Sequence, residues 1–267
     1  MPVDKEPSGR RSVQSEVEVS GTPEEVWEAI ASGPGISSWF VPTEMDGRAG
    51  GTSVSHYGPG DSMDSVAKIT SWEPPKRFVA ETEEEPGTIA TEWTVEAQAG
   101  GTCIVRVVHS WFASSDDWDQ QYEGHSYGWI SFFQILSHYL AHFRGQPCSP
   151  VQLMAMSTEE DAWERMVQPL GLANATVGAH VTAPAGAPEL SGVVEVVNPP
   201  EWPGLLLRLD KPAPALAHFF ALSMGGPVML PVRLYLYGET ATEIATDIEN
   251  TWQSWLNQRF PPIKSSD

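Results

Sequence analysis

The sequence predicts an α+β chain: a curved antiparallel sheet closing over one long amphipathic helix, followed by a shorter second unit. Three observations carry this. From Gln121 to Gly145, Trp129, Phe132, Phe133, Leu136, Tyr139, Leu140 and Phe143 recur at helical spacing and share one broad face. Upstream, short runs alternate apolar and polar residues between Gly- and Pro-rich breaks, as half-buried strands do. Downstream, several landmarks of the first half return in the same order. A helix with that many aromatics on one face needs a large apolar partner, and a sheet supplies one.

Composition narrows the class. With 267 residues, 41% hydrophobic and eleven Trp, the chain can bury a real core without staples. A net charge of −20 disfavours nucleic-acid backbones and anionic membrane surfaces as partners. Cys103 and Cys148 are the only cysteines, too few for a disulfide framework, and no Cys-x-x-Cys pair suggests zinc. Residues 1–11 are polar and lack the apolar run of a signal peptide, and no stretch approaches the ~20 apolar residues of a membrane span. A cytoplasmic location is the expectation.

Taken in order, Val13, Val17 and Val19 alternate with Gln14, Glu16 and Glu18 as a strand. Thr22-Pro23-Glu24-Glu25 is a capping box with Pro at the first helical position, opening a helix that carries Val26, Trp27 and Ile30 inward. Gly33-Pro34 ends it, and a short helix or turn holds Ile36, Trp39 and Phe40. Strands are expected near 52–57, 65–72, 77–82, 89–97 and 102–112, with Pro74-Pro75 and Gly100-Gly101 as breaks. In the last of these Cys103, Val105, Val107, His109 and Trp111 share a face. Gly145 and Pro147 stop the long helix.

These residues resemble a known family. Val17-Glu18-Val19, Thr22 to Trp27, Trp39-Phe40, Gly50-Gly51-Thr52, Trp72 to Arg77 and Gly128-Trp129 with Leu136 and Tyr139-Leu140 stand in the order and spacing of the SRPBCC (START-like, birch-pollen-allergen-like) superfamily. Within it they look most like the branch named for the activator of the ninety-kilodalton heat-shock protein ATPase. The resemblance covers about residues 12–145. It implies a helix-grip fold with an apolar cavity between sheet and helix.

The second half echoes the first. Ser157 to Glu164 resembles Thr22 to Glu28, including a capping-box pattern of Ser157 with Glu160. Val193 to Val197 before Pro199-Pro200 parallels 67–72 before Pro74-Pro75. Thr240 with Glu243 opens a closing helix whose Ile244, Ile248, Trp252 and Trp255 share a face. Either this is a degenerate second copy or residues 151–267 form an unrelated α+β domain. The ordered recurrence favours the copy, giving domains 1–148 and 149–267.

No Gly-x-Ser-x-Gly elbow, phosphate loop, dinucleotide fingerprint or His-Glu-x-x-His is present, so neither a cofactor nor a metal is expected. His138 and His142 have metal-ligand spacing but fall off the apolar stripe. The candidate ligand-binding residues are His109, Trp111, His125, Trp129, Trp39, Phe40, Tyr57, Trp93 and Phe133. His109 is either a core histidine satisfied by one partner or the group that orients a ligand's polar atom. His218, in an apolar run, is expected to be structural. Three functions follow: binding of a small apolar or amphipathic molecule; a cyclase or aromatase of polyketide-like metabolism with His109 and His125 as acid/base groups; or a co-chaperone role with an unknown protein partner. The first fits the residue list best.

Overall fold

A computed structural model of the chain describes residues 3–58, 63–84, 87–112, 119–223 and 225–262, with the side chains of 119–127 outside that description. The chain divides into two compact units, Met1–Gly145 and Gln146–Asp267. The expected boundary at 148/149 would cut a strand that begins at Cys148.

The first unit runs β1 (Asp4–Lys5), β2 (Arg10–Ser20), α1 (Pro23–Ala31), α2 (Gly33–Ser37), β3 (Thr43–Met45), β4 (Thr52–His56), β5 (Asp64–Glu73), β6 (Arg77–Glu84), β7 (Gly87–Gln98), β8 (Thr102–Phe112) and α3 (Asp119–His142). Its sheet has the order β1-β2-β8-β7-β6-β5-β4-β3 and is antiparallel throughout. The first long strand therefore pairs with the last, from Arg10↔Phe112 to Ser20↔Thr102. That pairing brings the chain's start beside the strand that leads to α3. This is the helix-grip plan, and β1 and β3 are the elements too short to announce themselves by alternation.

Helix α3 packs its apolar stripe on the inner face of the sheet. Phe133, Leu136, Tyr139, Leu140 and Phe143 are buried, as is Ile135, while His138 is half-buried and His142 exposed. Gly145, at φ +72°, takes the left-handed position that ends the helix. Thr22 forms its capping box: the Glu25 amide donates to its hydroxyl at 3.3 Å, and its own amide donates to the Glu25 carboxylate at 2.8 Å. Val26, Trp27 and Ile30 point inward, with Trp27 edge-on to Trp72 at 5.0 Å.

The second unit runs β9 (Cys148–Ser157), α4 (Ala162–Val167), β10 (His180–Thr182), β11 (Ser191–Val197), β12 (Gly204–Lys211), β13 (Ala215–Phe220), β14 (Val228–Tyr237) and α5 (Ala241–Arg259). Its sheet order is β10-β11-β12-β13-β14-β9. Again the first strand pairs with the last, Tyr237↔Cys148 through Val228↔Ser157, and again a closing helix packs on them. Trp252 packs on Phe219 at 5.6 Å within a core that also holds Ile248, Trp255 and Leu256. The two expected capping boxes do not form here. The Ser157 hydroxyl accepts from the Glu159 amide, two residues on, and α4 starts only at Ala162. Thr240 has helical angles (φ −90°, ψ −2°), so its hydroxyl is not aimed back at the first-turn amides as an extended cap residue would aim it.

The join of α1 to α2 sets where Ile36 and Phe40 stand. The Ser32 hydroxyl caps α2 by accepting from the Gly35 amide at 3.0 Å, and the turn lies directly on the end of α1. A Cβ at Gly35 would meet the Glu28 carbonyl oxygen at 2.0 Å and the Ala29 Cα at 2.9 Å. Only glycine fits that approach. Gly35→Ala is expected to lower the unfolding free energy by ~1–3 kcal/mol, as overpacking does. An unchanged urea midpoint would show that the two helices are not held at this distance.

Candidate functional site: a two-walled cavity

Between the sheet and α3 of the first unit lies a cavity of about 490 Å³. One wall is aromatic. Phe40 stacks on Trp129 with ring centroids 5.2 Å apart and planes within 8°, and meets Phe132 edge-on at 4.3 Å. Trp93 stands edge-on to Trp129 at 5.0 Å and stacks over Phe78 at 6.0 Å. Such offset and edge-to-face pairs match the ring quadrupoles.

The other wall is hydroxylated. Ser53 and Ser55 on β4, Ser65 on β5, Thr82 on β6 and Thr91 on β7 all line the cavity. This reverses the usual sorting of a strand pair. Ser55 and Ser65 are cross-strand partners facing in, while the neighbouring partners Val54 and Val66 face out, Val66 at 58% exposure. Tyr57 and Glu84 line the cavity where its wall is exposed.

His109 joins the two walls. On the sheet it stands directly opposite Thr91, whose hydroxyl lies 2.9 Å from Nδ1. Across the cavity the Trp129 indole donates to Nε2 at 2.5 Å. An indole N–H can only donate, so Nε2 carries the lone pair, and the ring is the neutral tautomer with its proton on Nδ1, donated to Thr91. Both nitrogens are engaged. The core-or-anchor alternative for His109 thus takes a mixed form: it lines the cavity, but its bonds are to Thr91 and Trp129.

Of the residues singled out from the sequence, Phe40, Tyr57, Trp93, His109 and Trp129 line the cavity. Trp39, Trp111 and Phe133 do not, because protein packing consumes their faces. Trp39 is fully buried, with its indole donating to the Ala29 carbonyl at 2.8 Å. Trp111 packs with Val13 and Ile89. Phe133 is held against Trp93 and Trp129 at 6.2 and 5.7 Å. His125 lies on α3 where side chains are outside the described residues. Sequence reasoning missed the serine and threonine wall, Glu84 and the cavity role of Phe132. Its one available signal was the strand pairing, which would have shown that Ser55 and Ser65 share the face of Trp93.

Outside the cavity, Glu92 and Arg106 are half-exposed on the outer face, paired with Arg77 and Glu16. In the second unit His218 lies flat on Phe220 at 4.7 Å, on the face of β13 opposite the Phe219 that meets α5. Burial, with Arg233 adding to it, pushes its pKa from 6.5 down to about 3, so the ring stays neutral.

A sheet wrapped on a C-terminal helix, with a cavity between them, defines the helix-grip class of the SRPBCC superfamily. Residues 20–141 match the family described as Activator of Hsp90 ATPase homolog 1-like protein. The match lies wholly within the first unit, which is similar to this AHSA1-type branch. Similar solved structures include CalU16 from Micromonospora echinospora, at 20% identity over 53% of this chain and 83% of its own, TM-score 0.42. DynU16, from the dynemicin biosynthetic locus, is 16% identical over 92% of this chain and 95% of its own, TM-score 0.42. The di-domain ARO/CYC BexL of the BE-7585A biosynthetic pathway is 12% identical over 95% and 100%, TM-score 0.44. No curated protein matches the chain.

Two outcomes are expected. Trp129→Phe keeps an aromatic ring but removes the donor to the half-buried His109 Nε2, a loss of about 0.5–1.5 kcal/mol in urea unfolding; Trp129→Ala loses about 3–5 kcal/mol. Equal midpoints for wild type and the Phe variant would mean the indole bond contributes nothing. For His218, the unfolded chain takes up a proton near pH 6.5 that the folded chain refuses until about pH 3. Stability is therefore full above pH 6.5 and declines as pH falls, by ~1.4 kcal/mol per pH unit. Between pH 7 and pH 5 the wild type should lose ~2 kcal/mol more than His218→Phe. Parallel losses in the two proteins would place the titration elsewhere.

Proposed function

We propose that the first unit binds a small apolar or amphipathic molecule in the cavity between its sheet and α3. The observation that carries this is the inversion on β4 and β5, with Ser55 and Ser65 facing in and Val54 and Val66 facing out. A sheet that needed only to pack would do the reverse, since a buried valine contributes burial energy that a serine does not. Inward hydroxyls opposite an aromatic wall suit a guest with an apolar face and a hydrogen-bonding edge. The cavity volume of about 490 Å³ lies in the range of small-molecule sites.

The cyclase-type alternative would use His109 as an acid or base, and that requires Nε2 to give up the Trp129 indole first. The geometry favours a supporting role for this imidazole. The co-chaperone alternative draws on the family name alone. For the second unit, we read 149–267 as a shortened second copy, supported by the shared winding of β9 to α5 and β2 to α3.

Titration of the full chain with Nile red, a neutral solvatochromic dye, is expected to give saturable blue-shifted emission. Ala67→Phe, which fills the cavity from β5, should abolish it while the far-UV spectrum and urea midpoint hold. Equal uptake by the filled variant would put the dye elsewhere and remove the support for this site.

A further inference from the structure

The inward hydroxyls are not equivalent, and the difference between them says which part of a ligand they recognise; this step rests on the binding function proposed above. Ser55 lies 3.2 Å from the Thr43 hydroxyl, and Thr91 is bonded to His109. Among the described residues, the hydroxyls of Ser53, Ser65 and Thr82 line the cavity without a hydrogen bond to any protein group. Ser53 is only 8% exposed, and an unbonded hydroxyl there costs stability unless a guest or a water completes it. The three surround one small side chain. Ser53 stands directly opposite Ala67 on the neighbouring strand, and Ser65 lies two residues before Ala67 on β5. The Lys68↔Glu81 register brings Thr82 to its other flank. With strands ~4.8 Å apart and two residues of strand spanning ~6.7 Å, a group seated on Ala67 has a neighbouring hydroxyl on three sides.

Polarity also runs along the cavity. On β6 the lining residues are Phe78, Ala80, Thr82 and Glu84, passing from 1% exposure at Phe78 to an exposed side chain at Glu84. Trp93 stands opposite Phe78 and extends the apolar end. Ala80 pairs with Ile69, two residues beyond Ala67, so the two alanines sit on a diagonal ~8 Å long that no large side chain fills. We propose that this floor holds a rigid, flat apolar body about two fused rings long, lying over Ala80 toward Phe78 and Trp93, with one hydroxyl or primary amide at its outer end over Ala67. Such a group both donates and accepts, as the three hydroxyls do, so it can bond to them whichever way their protons turn. A plain hydrocarbon of the same shape fills the space and leaves Ser53, Ser65 and Thr82 unbonded.

The test compares two probes of one shape on the full chain, 2-naphthol and 2-methylnaphthalene, each displacing Nile red at neutral pH. Thr82→Val, which keeps the side chain's shape, and the triple variant Ser53→Ala, Ser65→Ala, Thr82→Val are titrated beside the wild type. Thr82→Val is expected to weaken 2-naphthol by about five-fold, the loss of one neutral hydrogen bond, and to leave 2-methylnaphthalene unchanged or tighter. The triple variant should move the ratio of the two affinities further toward the hydrocarbon. Urea midpoints should hold or rise, because these hydroxyls have no bond within the protein to lose. An unmoved ratio in the triple variant means that the hydroxyls meet water alone, and it overturns the inference. An equal loss of both probes overturns it too, since that reports a change of cavity shape. If both probes and Nile red fail to bind the wild type, the binding function itself falls and takes this inference with it, so the two failures are told apart.

Discussion

Trp129 can bury its indole only where the N–H finds an acceptor, and in this unit the sheet provides one at His109. The rest of the site is arranged about that bond. It sets the rotation of α3, and so places Phe132 beside Phe40 and Phe133 beside Trp93. It also fixes the tautomer of His109 and leaves its one ring N–H, at Nδ1, to donate to Thr91. A purely apolar contact would let the helix slide along the sheet by a residue or a turn at small cost. A directional bond between one donor and one acceptor selects a register.

Ring pairing and small strand residues explain why a cavity persists next to so many large side chains. The aromatics satisfy one another across the space, Phe40 on Trp129 and Trp93 of β7 against both Trp129 of α3 and Phe78 of β6. With their faces taken up by one another, they leave the hydroxyl-bearing part of the sheet uncovered. The strands there carry Ser53, Ser55, Ser65 and Ala67, short side chains that leave room. The volume is built from stiff aromatics on one side and small residues on the other, and both halves are needed.

How much of this could be read from the sequence follows from what each signal measures. Periodicity reports which residues of one element share a face, so the α3 stripe and the inward set Cys103, Val105, Val107 and Trp111 were legible. Capping chemistry was legible where the cap residue is extended, as at Thr22, and misleading at Ser157 and Thr240, where a competing turn or a helical cap conformation takes the hydroxyl away. Strand alternation assumes that apolar residues face the core, and on β4 and β5 that assumption selects Val54 and Val66, the wrong face. Nor does a single sequence distinguish an aromatic that lines a cavity from one sealed behind it. Trp39 and Phe40 are adjacent, yet only Phe40 reaches the space, because the Ala29 carbonyl takes the Trp39 indole.

The departures from simple patterning are not scattered. Ser53, Ser55, Ser65, Thr82 and Thr91 lie on four adjacent strands and converge on one volume. Random loss of core character would leave isolated polar residues, each to be satisfied separately by backbone or water. Convergence instead concentrates the loss of burial energy in one wall, opposite an aromatic wall that is kept intact. Each inward hydroxyl lowers stability relative to an alkyl group of similar size unless something hydrogen-bonds to it. Within the unit some do find partners: Ser55 lies 3.2 Å from the Thr43 hydroxyl, and Thr91 is bonded to His109. A hydroxyl keeps further donor and acceptor capacity after one bond. The wall is therefore satisfied enough to fold and still able to accept or donate to a guest, a combination that suits a binding surface better than a core.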